Sequence, residues 1–131
     1  MKVLLISEDI QIRIQTQRML KDMAQLNVCS FENMEQEKNI QYDILIIDFN
    51  QMRVKQKEYK AILDIRNRKN IPILALLETS SILDQFEVLS MGVLDFLERP
   101  VNDEVYLVKI KQLCKWKWYF DWEKKYEKWR E

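Results

Sequence analysis

Asp48 closes the run Tyr42-Asp43-Ile44-Leu45-Ile46-Ile47-Asp48, and an acidic pair, Glu8 and Asp9, follows a shorter apolar run, Val3-Leu4-Leu5-Ile6. Open α/β sheets place their chemistry at the carboxyl ends of buried strands. If these two strands are neighbours, Glu8 and Asp48 form an acidic pocket suited to a hard divalent cation such as Mg²⁺. Two close carboxylates repel, and a cation relieves them; Mg²⁺ or the side chain of Arg99 can fill that role. Asp9 is equally a residue for capping a helix.

Such a pocket needs parallel strands with helices between them, and the sequence supplies the pattern. Val3–Ile6, Val28–Phe31, Ile44–Ile47, Ile73–Leu77 and Asp95–Leu97 read as strands. The first, third and fourth are nearly continuous in Val, Ile and Leu, as strands covered on both faces require. Ile12, Thr16, Met19 and Met23 recur at helical spacing, as do Ile82, Phe86 and Leu89 after Ser80 and Ser81. Tyr59, Ile62, Leu63 and Arg66 suggest a further helix, whereas 32–39 is a poor helix candidate. Alternating strands and helices predict a doubly wound parallel α/β sheet with right-handed crossovers.

Composition removes many function classes. A length of 131 residues fits one compact core. The 21 basic residues balance 21 acidic ones, so no overall field favours nucleic acid or an anionic membrane. Histidine is absent, which excludes imidazole chemistry. A single glycine, Gly92, leaves no phosphate-cradling glycine loop. Cys29 and Cys114 sit in apolar surroundings and read as buried thiols of a reducing, cytoplasmic compartment. No transmembrane segment and no secretory signal are expected.

Taken in order, these motifs resemble the receiver domain of bacterial two-component response regulators, over roughly residues 2–116. The resemblance rests on Lys2–Asp9, Tyr42–Asp48, Ile71–Leu76 and Gly92–Pro100 with its basic-residue–proline ending. It implies a CheY-like five-stranded parallel sheet of order 2-1-3-4-5, with Asp48 as phosphoacceptor for a partner histidine kinase. It further implies Mg²⁺ held by Glu8, Asp48 and the backbone carbonyl of Asn50. Leu77 stands where receivers carry a small hydroxyl residue, with Thr79 two residues on, and Arg99 stands where they carry lysine. Ser7 occupies the place of one of their two acids. The resemblance therefore implies an atypical receiver that works by protein contacts, with weak or no phosphorylation. The alternatives are a working phosphoacceptor and, from another class, a small Mg²⁺-dependent phosphohydrolase. That enzyme needs an acid two residues after its nucleophile, where this chain has Asn50. A flavin carrier lacks its phosphate loop. The reading is therefore of a non-enzyme.

From Asn102 onward the spacing is helical, and no Gly or Pro follows Pro100. The domain is expected to occupy 1–115, with 116–131 an aromatic-rich helical extension. Trp118, Trp122, Tyr126 and Trp129 form a stripe, flanked by Trp116, Tyr119 and Phe120. Three fates are open to it: folding back, packing on a second copy or partner, or lying on a membrane surface beside Lys115, Lys117, Lys124 and Lys125. A homodimer through this helix is the expectation. No effector domain is legible, so output is expected from the domain's own surfaces or from a larger protein.

Overall fold

Parallel pairing of short apolar strands organises the chain. A computed structural model describes residues 1–37, 39–49, 64, 71–78 and 82–130, although the side chains of 84, 124 and 126–130 lie outside that description. The strands are β1 (Lys2–Ile6), β2 (Gln25–Cys29), β3 (Ile44–Phe49), β4 (Ile73–Leu77) and β5 (Asp95–Glu98). They form one sheet of order β2-β1-β3-β4-β5, parallel throughout. The helices are α1 (Ile10–Leu20), α2 (Ile82–Ser90) and α3 (Asp103–Arg130), with a 3-10 turn at Met34–Glu37. Tyr59, Ile62, Leu63 and Arg66 of the further expected helix lie outside the described residues, as do Asn50, Thr79 and the expected cap residues Ser80 and Ser81.

All six residues of β3 are buried. Their alternation divides the core in two. Leu45, Ile47 and Phe49 join Leu4, Ile6, Ile73 and Ala75 on one face. Ile44 and Ile46 join Ile12 and Leu20 of α1 and Tyr106, Ile110 and Leu113 of α3 on the other. Asp48 falls in the second alternation, facing the layer of α1 and α3.

Three expectations change. β2 runs Gln25–Cys29 rather than Val28–Phe31, because Gln25, Leu26 and Asn27 pair with Lys2, Val3 and Leu4 and the last pair is Ile6 with Cys29. As an edge strand it is only partly buried, so it lacks a continuous apolar run. α1 ends at Leu20, and Met23 lies beyond it, exposed. On α2 the expected inward face is turned outward: Ile82 is 83% exposed and Phe86 71%, whereas Val88 and Met91 are buried. Within that helix Val88 is the buried apolar residue among those described, and Met91 follows just past its end, so the face richer in apolar residues is not the one that meets the sheet. Gly92 follows with φ 92°, the left-handed turn that a residue without Cβ makes at least cost.

Asn102 caps α3: its side chain accepts from the backbone N–H of Glu104 (2.9 Å) and Val105 (3.2 Å). Its 28 residues extend about 42 Å at ~1.5 Å each. Leu113 is its last buried residue among those described. Beyond it Trp116, Trp118, Tyr119 and Trp122 are exposed.

Candidate functional site at the strand ends

Register sets the site. Ile6 pairs with Ile47, so the next residue of each strand, Ser7 and Asp48, meet side by side. Both are buried, at 0% and 1% exposure. The Ser7 hydroxyl donates to Asp48 Oδ2 over 2.7 Å. The backbone N–H of Asp9 donates to Ser7 Oγ at 3.1 Å, which fixes the hydroxyl. Arg13 Nε donates to the Ser7 carbonyl at 2.8 Å. Arginine in the first turn of a helix opposes the helix dipole, so its presence there needs a specific acceptor. That mismatch was the one sequence signal for Arg13.

The second carboxylate of the pocket is Asp9, and Glu8 is exposed. Ser7 takes the inward place beside Asp48, and the chain turns at Glu8 before Asp9 returns as the cap of α1. Asp9 Oδ1 accepts from the Gln11 N–H at 2.8 Å. Its other oxygen, Oδ2, accepts from Arg99. Arg99 leaves the end of β5, where its N–H donates to the Leu77 carbonyl at 2.8 Å. The guanidinium then spans the pocket, one arm on Asp9 and the other on Asp48 Oδ1.

A planar fork with several donors can bridge two carboxylates in this way, whereas an ammonium presents one point of charge. The Arg99 hydrogen bond holds the Asp9 carboxyl below its ordinary 3.8, against the opposing effect of burial. Burial works against the charged form of Arg99, yet its two carboxylate partners outweigh that and its pKa rises. Leu77, at the end of β4, is 1% exposed and belongs to the core. It offers no hydrogen-bond donor to the pocket.

Mg²⁺ demands near-octahedral oxygen ligands with free lone pairs directed at the ion. Here both Asp48 oxygens already accept hydrogen bonds, and a cationic side chain lies between Asp48 and Asp9. Among the described residues no group of three or more His, Cys, Asp or Glu is placed to hold a metal. The described residues, as arranged, do not fit Mg²⁺; the guanidinium stands in the position of the counter-charge.

Behind the pocket, Thr16 Oγ1 donates to the Ile12 carbonyl at 2.7 Å and shares a 2.9 Å hydrogen bond with the Tyr106 hydroxyl. Both residues are fully buried. This bond ties α1, which follows the pocket, to α3, which carries the tail. Burial pushes the Tyr106 hydroxyl strongly up. Cys29 is likewise pushed up to about 11 by burial and is inert as a thiolate at neutral pH.

On α3, Tyr119 lies 6.4, 6.1 and 6.3 Å from the rings of Trp116, Trp118 and Trp122. Trp118 and Trp122 of the expected stripe are exposed together; the side chains of Tyr126 and Trp129 lie outside the described residues.

No family model matches this chain, and no curated protein matches it in sequence. Solved structures match it in shape. Chemotaxis protein CheY4 of Vibrio cholerae is 21% identical over 86% of this chain and 97% of that one, with a TM-score of 0.71. A response regulator receiver protein from Pseudoalteromonas atlantica is 15% identical over 88% and 98%, with a TM-score of 0.74. The adenylate cyclase from Rhodopirellula baltica is 17% identical over 97% and 96%, with a TM-score of 0.82. The fold is that of CheY-like receiver domains, with a C-terminal helix.

Proposed function

We propose that this protein is a signalling module of two-component type that works through protein contacts, with Asp48 phosphorylated weakly or not at all. Supporting the reading is one observation: Arg99 bridges Asp9 and Asp48, while the Ser7 hydroxyl takes the remaining Asp48 oxygen. A phosphoryl donor must break these bonds before Asp48 can attack. Leu77 supplies no hydroxyl to the transferred group, and Arg99 is already committed to the two carboxylates. In this reading a sensor histidine kinase is a binding partner first and a phosphodonor second. Mg²⁺ enters only by displacing Arg99. A non-enzymatic role and a cytosolic setting belong to the same proposal; among the described residues no helix is long and apolar enough to cross a membrane.

The second part of the proposal is assembly. Residues 1–115 act as the receiver unit and 116–131 as an extension, through which α3 makes a homodimer. The exposed aromatics support it, since four large rings on one short segment form an apolar patch that water covers at a cost.

Intact-mass measurement after incubation with Mg²⁺ and a small phosphodonor tests the chemistry. The expected result is little or no adduct, with Leu77→Thr plus Arg99→Lys gaining some. Rapid stoichiometric modification of Asp48 in the unaltered chain overturns the reading.

A further inference from the structure

Two stripes run along α3, and the inner one, which is apolar, faces the domain. Tyr106, Ile110 and Leu113 are buried against the sheet. On the opposite side, Val105, Val108, Gln112, Lys115, Tyr119 and Trp122 are all exposed. Their spacing is three, four, three, four, three. This is the 3.5-residue repeat that keeps one seam against another helix, and it differs from the 3.6 repeat of a helix lying on a sheet. The seam starts over the domain and continues into the aromatic segment, so it joins two regions that the sequence reads as separate.

The order of residues along the seam selects its partner. It runs small, small, polar, polar, large, large. A parallel copy would set Lys115 against Lys115 and Trp122 against Trp122, leaving like charges and crowded rings at shared levels. Reversal of the partner helix resolves both. Val105 then faces Trp122, Val108 faces Tyr119, and Gln112 faces Lys115, with each pair repeated by symmetry. Small opposite large fills a helix–helix layer without voids. A two-fold axis makes every such contact reciprocal.

Flanking residues agree with the same register. Reversed pairing brings Glu104 opposite Lys125 and Lys111 opposite Trp118, an ion pair and a cation over an aromatic face. All four are exposed in the single chain. The four exposed aromatics offer roughly 100 Å² each, about half of the ~800 Å² per partner of a stable interface. A contact among tails alone falls short of that. The full seam adds Val105, Val108 and the stems of Gln112, Lys115, Glu104 and Lys111.

We propose that a second copy of this chain docks antiparallel along this seam, about a two-fold axis crossing α3 between Leu113 and Cys114. The proposal rests on the homodimer reading above and gives it an orientation and a register.

The full chain carrying Cys114→Ser is the background for the test; Cys29 is buried and stays. Gln112→Cys and Lys115→Cys are made separately, then oxidised mildly, alone and after mixing with subunit exchange. Antiparallel docking predicts covalent dimer in the mixture and none in either sample alone. Cross-linking of each variant with itself overturns the antiparallel register while leaving a dimer standing. Light scattering that finds the unaltered chain monomeric overturns the dimer and the register together. A charge swap gives a second measure: Glu104→Lys and Lys125→Glu should each weaken the dimer, and the double variant should recover it. Failure of the double variant to recover, with the chains folded by circular dichroism, counts against the register.

Discussion

The strand-end pocket and the outer face of α3 treat their chemistry in opposite ways. In the pocket every charge has its answer inside the chain: Asp48 holds Ser7 and Arg99, and Asp9 holds Arg99 and the N-terminus of α1. On α3 the rings of Trp118, Tyr119 and Trp122 and the side chains of Val105 and Val108 remain exposed. The pocket is closed by contacts within the chain, and the helix presents surface beyond it.

That contrast predicts which substitutions harm the fold and which harm assembly. Arg99→Ala should have the largest effect on the fold, costing about 3 kcal/mol or more, because it strands a buried carboxylate at Asp48. Urea unfolding measures it. Mg²⁺ should return part of that loss in the variant and leave the unaltered chain little changed. Equal Mg²⁺ stabilisation of both chains would show that Arg99 does not hold the pocket against the ion.

Phosphorylation comes next. With two stabilising contacts absent, adduct formation should run ~10²-fold or more below that of the Leu77→Thr, Arg99→Lys variant. Tyr106→Phe is smaller again. It removes the buried bond to Thr16 and should cost about 1 kcal/mol in the same unfolding assay. Trp122→Ala should be the smallest on the fold, within about 0.5 kcal/mol, since the ring is exposed. Its effect belongs to assembly, with the dimer weakened in light scattering. A large loss of monomer stability from Trp122→Ala would collapse the distinction between the two regions.

Acid gives a further check on the pocket. Asp9 titrates lower in the folded chain than its ordinary 3.8, so the unfolded chain binds more protons between those values. Its contribution is therefore complete above ~4 and fades as pH falls through the lowered folded value. Asp9→Asn should flatten the stability curve on that acid side. An unchanged curve would mean that the Asp9–Arg99 pair adds nothing.

Truncation after Lys115 draws the comparison out along the chain. The shortened protein should keep the receiver fold by circular dichroism and lose the dimer, because Leu113 is the last buried residue described on α3.

By itself the sequence determined the central strands and their kind, because buried parallel strands need unbroken runs of Val, Ile and Leu, as at Ile44–Ile47 and Ile73–Leu77. It also determined the places of Asp48, Leu77 and Arg99, since these sit at strand ends marked by local pattern. Tertiary structure decided which carboxylate joins Asp48. Glu8 and Asp9 are adjacent in sequence, and only the turn after Ser7 sends one to solvent and the other to Arg99. Packing likewise decided which face of α2 is inside, for Ile82, Phe86 and Leu89 share one helical face and still point outward. An apolar stripe records that a face seeks cover, and only the arrangement of its neighbours in space determines which face the sheet covers.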